Sequence, residues 1–151
     1  MDKLLHSLRR PIFWILVLIF ITFYPMLISI YVFFPLLIGI MGYILFHGIE
    51  KGKPTYILIA IVYFINLEVN LSLPFFLTII ASLLVYNILY KHLSYFRTCQ
   101  TCKPIFSVIF IDAVYLGLIL SYDFVFDTSS IFLDNILLYT LIVDILVVVI
   151  L

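Results

Sequence analysis

Three acidic side chains stand where the surrounding sequence is almost wholly apolar: Glu68 between Leu67 and Val69, Asp112 between Ile111 and Ala113, and Asp144 between Val143 and Ile145. A lone carboxylate at the centre of a bilayer costs at least about 2.5–3.5 kcal/mol. No Lys or Arg lies in the apolar runs that hold Asp112 and Asp144, so a proton on one or both acids is the expected remedy. Two chemistries follow for that pair. The acids can serve a proton- or ion-linked process or a polar group on a partner's helix. Alternatively, they act as hydrogen-bonding groups inside a bundle, with Tyr115 or Thr140 as partners. Glu68 belongs to the polar break Asn66–Pro74, with Asn70 and Pro74. It reads as a buried cap on a turn, as a contact for a partner helix, or as a ligand-binding acid.

Cys99 and Cys102 form a CxxC pair, with His92 the nearest further ligand. Tetrahedral zinc needs four ligands, so the pair supplies half a site. Redox work would call for a thioredoxin-like fold around it. Ordinary reduced thiols are expected, and neither a metal nor a cofactor. His6, His47 and His92 lie at expected helix edges, where interfacial solvation accounts for them. The chain has no GxSxG, HExxH or phosphate-binding glycine loop, which argues against an enzyme.

The elements that position these residues follow from composition. Of 151 residues, 66% are hydrophobic and 11% charged, against roughly half and a quarter in soluble domains. A chain this short cannot hide so much apolar surface from water, so a bilayer is the expected solvent. The zero net charge gives no reason to expect a nucleic-acid partner. Lys3, Arg9 and Arg10 precede an apolar run as in a signal peptide. That run continues far beyond a signal's apolar segment of about 7–15 residues, so an uncleaved membrane helix is expected.

Residues 11–48 carry no charge and as one helix would reach about 57 Å, against a hydrocarbon core of about 30 Å. Two crossings fit, with Pro25 and Pro35 the candidate breakers. The expectation is a single domain over 1–151, an all-α six-transmembrane-helix bundle with helices near 11–31, 35–48, 55–69, 74–90, 104–122 and 131–151. Both termini are then cytoplasmic, and the inner segments 1–10, 49–54 and 91–103 hold all eight cations, as the positive-inside rule requires. A single helix over 11–48 would put five of the eight outside. Helices two to four are short for a crossing, so the break at Asn70 is expected to be recessed, its neighbours accommodated by tilt or thinning. Asp112 and Asp144 come at similar depth on adjacent antiparallel helices, about 12 Å and about 10 Å from their inner ends. Gly39 and Gly42 are three apart, not the four of a GxxxG dimer motif.

The stretch Glu68-Val69-Asn70-Leu71-Ser72-Leu73-Pro74-Phe75-Phe76 resembles the most recognisable segment of the bacterial rod-shape-determining MreD family, roughly Asp-x-x-x-Gly-x-Pro-Leu-Gly. Glu68 stands at the acid and Pro74 at the proline. Ser72 falls at the loop glycine, and Phe75-Phe76 replace Leu-Gly. Pro35 and the basic turn Lys91-His92 are similar in place. The resemblance implies a non-enzymatic scaffold subunit of the cell-wall elongation complex in the bacterial cytoplasmic membrane. It would work with MreC-like proteins, the actin-like MreB and a glycan polymerase/transpeptidase pair. That family's fold is similar to the membrane-embedded substrate-binding subunits of vitamin transporters, which gives an alternative. Residues 11–31, however, lack alanine, where those subunits dock through Ala-x-x-x-Ala. A proton-linked channel or motor subunit using Asp112 and Asp144 is a second alternative.

Overall fold

The computed structural model describes residues 2–31, 34–92, 102–127 and 133–150. Among them the chain is all-helical: α1 (Asp2–Ile30), α2 (Ile38–Lys51), α3 (Pro54–Asn70), α4 (Leu77–His92), α5 (Cys102–Phe126) and α6 (Leu133–Ile150). α5 is central, packing against α2, α4 and α6, while α1 packs against α3 alone among the described residues. The main core joins Tyr63, Phe64 and Leu67 of α3 to Val85 of α4 and to Ile111, Tyr115 and Ile119 of α5. A smaller cluster of Ile40, Val108 and Val148 seats α6.

Pro25 does not break α1, which runs through both it and Pro11 from a start well before residue 11. A proline inside a helix removes the N–H that would bond the carbonyl four residues back. Here that carbonyl is Ile21, and the Asn66 side-chain amide of α3 donates to it at 2.9 Å and to Thr22 O at 3.1 Å. The missing donor is supplied by a neighbouring helix, so the helix continues.

α2 and α5 run antiparallel. Lys103 Nζ meets Glu50 Oε1 at 2.6 Å at one end of the seam, and Gly42 faces Ile111 and Gly39 faces Asp112 further along. A Cβ built on Gly39 would stand 2.6 Å from Val108 Cγ1, and one on Gly42 would stand 2.5 Å from Ile111 Cδ1. The three-residue spacing of these glycines thus serves close packing within the chain.

Among the described residues one helix, Cys102–Phe126, is by itself long and apolar enough to cross a membrane. The other apolar helical segments, Trp14–Ile30, Pro54–Asn70, Leu77–Ile88 and Tyr139–Ile150, are shorter, at 10–17 residues. Large apolar side chains face outward: Leu16 and Leu18 of α1, Leu58 of α3 and Phe75 beside α4 are each more than 60% exposed.

Candidate functional site

Two helices begin in the same way. α2 follows Pro35-Leu36-Leu37 and α4 follows Pro74-Phe75-Phe76. The third residue of each trio is left-handed, Leu37 at φ 53° and Phe76 at φ 65°. Left-handed backbone cannot propagate a right-handed helix, so α2 and α4 start three residues after their prolines, later than the expected 35 and 74. Each start leaves amide N–H groups without an intrahelical acceptor. In each case a carboxylate from another helix accepts from them.

At α4 that acceptor is Glu68, 1% exposed near the end of α3. Its Oε2 accepts from Phe76 N at 2.7 Å. Its Oε1 accepts from Thr78 N at 2.8 Å and from Thr78 Oγ1 at 2.7 Å. Leu73 N donates to Glu68 O at 3.0 Å, and Ser72 between them is left-handed at φ 53°. Both carboxylate oxygens are satisfied, and the positive end of α4 offsets the charge. Glu68 is therefore a cap on the turn, the first of the three roles its sequence left open.

At α2 the acceptor is Asp144, fully buried on α6, whose Oδ2 accepts from Gly39 N at 2.8 Å. No side chain from α2's own N-cap residue performs this task. Asp112, 8% exposed on α5, lies on the other side of the same glycine. Asp112 Oδ2 and Asp144 Oδ2 are each 3.0 Å from the point where a Cβ on Gly39 would stand, so the two oxygens lie within twice that distance of each other. The expected meeting of the two acids is thus observed, with the start of α2 as the third party. Asp112 Oδ2 and Asp144 Oδ1 are buried without a hydrogen-bond partner. The Tyr115 hydroxyl is also buried and unpartnered, and it feels Glu68 instead, so it is not the expected partner of the aspartates. The Tyr24 hydroxyl donates to Pro35 O at 2.9 Å and the Tyr63 hydroxyl to Leu36 O at 2.8 Å, which pins the segment leading into α2.

Asn70 sits one turn beyond Asn66 and donates through Nδ2 to Asn66 O at 2.7 Å and Oδ1 at 2.8 Å. It orients the amide that repairs α1 at Pro25. Pro74 is half-buried, with its carbonyl accepting from Leu77 N at 3.4 Å. Cys102 is bonded in a disulfide, contrary to the expected reduced thiol. A sulfur so bonded has no thiolate to offer zinc, which removes Cys102 as a metal ligand. Cys99 and the side chain of His92 lie outside the described residues.

A basic end opposes these helix starts. The Glu50 carboxylate takes Lys103 Nζ with both oxygens, at 2.6 and 2.7 Å. Lys53 Nζ lies 5.6 Å from the Tyr56 ring centroid, and His47 packs between Tyr43 and Tyr56. The ends of α2, α3 and α5 that carry Lys51, Lys53 and Lys103 therefore come together, as the cation distribution implied.

No family model, curated protein or solved structure matches this chain.

Sequence reasoning missed Asn66, Thr78 and Gly39 as members of these sites. Asn66 had a signal, since an amide in an apolar helix can repair a proline in a neighbour. Thr78, at the second position of α4, had the signal of a hydroxyl just past a proline turn. Gly39 had none beyond its size.

Proposed function

We propose that the protein is a six-crossing helical subunit of a bacterial cytoplasmic membrane. In this reading it is a non-enzymatic scaffold of the cell-wall elongation complex, similar to MreD, with MreC-like, MreB-like and glycan polymerase/transpeptidase proteins as its partners. The observation that carries the reading is the backbone of the turn after Glu68. The family pattern has glycine at the positions of Ser72 and Phe76, and these are the two left-handed residues of the turn, at φ 53° and 65°. Left-handed geometry is where glycine is favoured. The acid of the pattern is Glu68, which caps the helix that follows. A sequence that keeps the turn after losing its glycines is what a distant relative would look like.

The multi-pass membrane setting has separate support. Apolar side chains cover the outer faces of α1, α3 and α4, and the three described Lys side chains gather at one end, as a positive-inside arrangement would have them. The helices too short to cross alone would need tilt or local thinning. The disulfide at Cys102 runs against this orientation, because disulfides persist in oxidising compartments. Labelling in intact cells decides it. A single reporter cysteine at Asp127, in a Cys99→Ser/Cys102→Ser background, should react with a membrane-impermeant maleimide from outside. Reaction only after lysis would overturn the topology.

The scaffold role is tested by affinity purification from native membranes. Recovery of wall-synthesis proteins supports it, whereas recovery of an ATPase pair would replace it with the vitamin-transporter reading. The proton-linked reading has one observation of its own, the unpartnered oxygens of Asp112 and Asp144.

A further inference from the structure

We infer that Asp112 and Asp144 form a site for a single proton, and that this proton latches α6 onto the α2–α5 pair. The inference goes beyond the scaffold reading and does not depend on it. It stands on two buried oxygens, Asp112 Oδ2 and Asp144 Oδ1, which have no partner, in side chains 8% and 0% exposed. A buried polar atom left unpaired costs the full desolvation of that group, so the site calls for a ligand.

The surroundings specify which ligand. Among the described residues no cationic side chain acts on either carboxyl. α2 contributes the backbone amides of Gly39 and Ile40. α1 and α3 contribute Tyr24 and Tyr63, which face Asp144 electrostatically. Their hydroxyl protons already go to Pro35 O and Leu36 O. α6 contributes Tyr139, which faces Tyr24. With no proton the site would hold two adjacent anions, which disfavour one another strongly. With two protons the amides at the start of α2 would meet a neutral acid, where they favour an anion. One proton satisfies both conditions: Asp144 remains the anion capped by Gly39, and Asp112 keeps its hydrogen as a donor. Among the described residues no third Asp, Glu, His or Cys joins the two aspartates to complete a metal-ion site.

The consequence falls on α6. Among the described residues that helix packs only on α5 and α2, through the small Ile40, Val108 and Val148 cluster and the Asp144 bond to Gly39 N. Withdrawing the proton sets two like charges across this seam and loosens it.

The test is infrared spectroscopy of the full chain in lipid vesicles, with aspartate carboxyl carbons labelled with carbon-13 to separate them from Glu68. One labelled protonated-carboxyl band is expected at neutral pH. It should shift in heavy water, ignore replacement of sodium by choline, and vanish in Asp112→Asn. Raising the pH should remove the band and, in step, raise at least tenfold the maleimide reactivity of Val148→Cys, which α6 buries against α2 and α5, relative to a Phe124→Cys reporter at the same pH. Phe124 is 90% exposed, and the ratio removes the rise in thiolate common to both. Both reporters are read in a Cys99→Ser/Cys102→Ser background. Absence of the band, its survival in Asp112→Asn, or its appearance only when sodium is withdrawn would each overturn the single-proton site. Loss of the band with no change in Val148→Cys reactivity relative to the exposed reporter would overturn the latch. If Asp112→Asn does not fold, the labelled native chain still decides through the band and its sodium dependence.

Discussion

The starts of α2 and α4 are the same device executed with different partners. Each begins with proline, a second residue and a left-handed third, at Leu37 and Phe76. Each receives a carboxylate from another helix. Glu68 reaches α4 from eight to ten residues away and leaves no oxygen unpaired. Asp144 reaches α2 from 105 residues away, and it and Asp112 are left with one unpaired oxygen each. The nearby cap is complete once the α3–α4 turn exists. The distant one is made only when the last helix has docked, and it brings a second acid with it. The first is a fixed part of the fold and the second is conditional on the state of the chain.

The sharpest way to break this contrast is to remove the acids in turn. Glu68→Ala leaves the Phe76 and Thr78 amides and the Thr78 hydroxyl without their acceptor, and a hydrogen bond to a charged group is worth about 1.5–3 kcal/mol. A loss of at least about 3 kcal/mol is expected, seen as failure to accumulate or a large fall in thermal midpoint. Asp144→Asn keeps a carbonyl oxygen for Gly39 N and removes the anion that would repel Asp112 once it loses its proton. Its thermal midpoint should fall by much less than that of Glu68→Ala. Equal losses in the two variants would erase the distinction between a fixed and a conditional cap.

Gly39→Ala comes next. A methyl there would stand 2.6 Å from Val108 and 3.0 Å from both aspartate oxygens, so it must push α5 and α6 away from the start of α2. Overpacking of this kind costs about 1–3 kcal/mol, read from thermal unfolding in detergent. At Gly42 the three atoms nearest an added methyl all belong to the Ile111 side chain, the closest being its terminal Cδ1. Gly42→Ala should cost less and leave the aspartate pair undisturbed, which would tie the excess at Gly39 to the carboxylates.

The sequence made the helical character legible, because long uncharged runs between cation-bearing loops leave few alternatives. It also made legible the meeting of Asp112 with Asp144 and the turn at Glu68, since an acid in an apolar run must find donors. What stayed hidden was geometry that no residue type announces. Prolines 35 and 74 read as first residues of helices, yet Leu37 and Phe76 are left-handed, as residue types that rarely adopt this backbone, and they delay each start. Pro25 reads as a breaker because the helix alone determines that reading, whereas the Asn66 amide that rescues it lies 45 residues beyond the Ile21 carbonyl it serves. Cys102 reads as a thiol because compartment, not sequence, was the guide.

The smallest effect sharpens the comparison most finely. A non-glycine residue in left-handed backbone carries about 1–2 kcal/mol of strain, and glycine relieves it at the cost of a freer unfolded chain, about 0.4–1 kcal/mol. Ser72 is exposed at φ 53°, so Ser72→Gly removes a small side chain that faces solvent, and a net gain of a few tenths to about 1 kcal/mol is expected. Phe76 is 55% exposed, so Phe76→Gly gives up part of an aromatic contact and should gain less. Leu37 is half-buried against both core clusters, and Leu37→Gly should destabilise despite relieving the same strain. Thermal midpoints ordered Ser72→Gly, Phe76→Gly, Leu37→Gly from highest to lowest would show that the two helix starts share a backbone but not a packing environment. A gain at Leu37 equal to that at Ser72 would mean that backbone strain alone sets both.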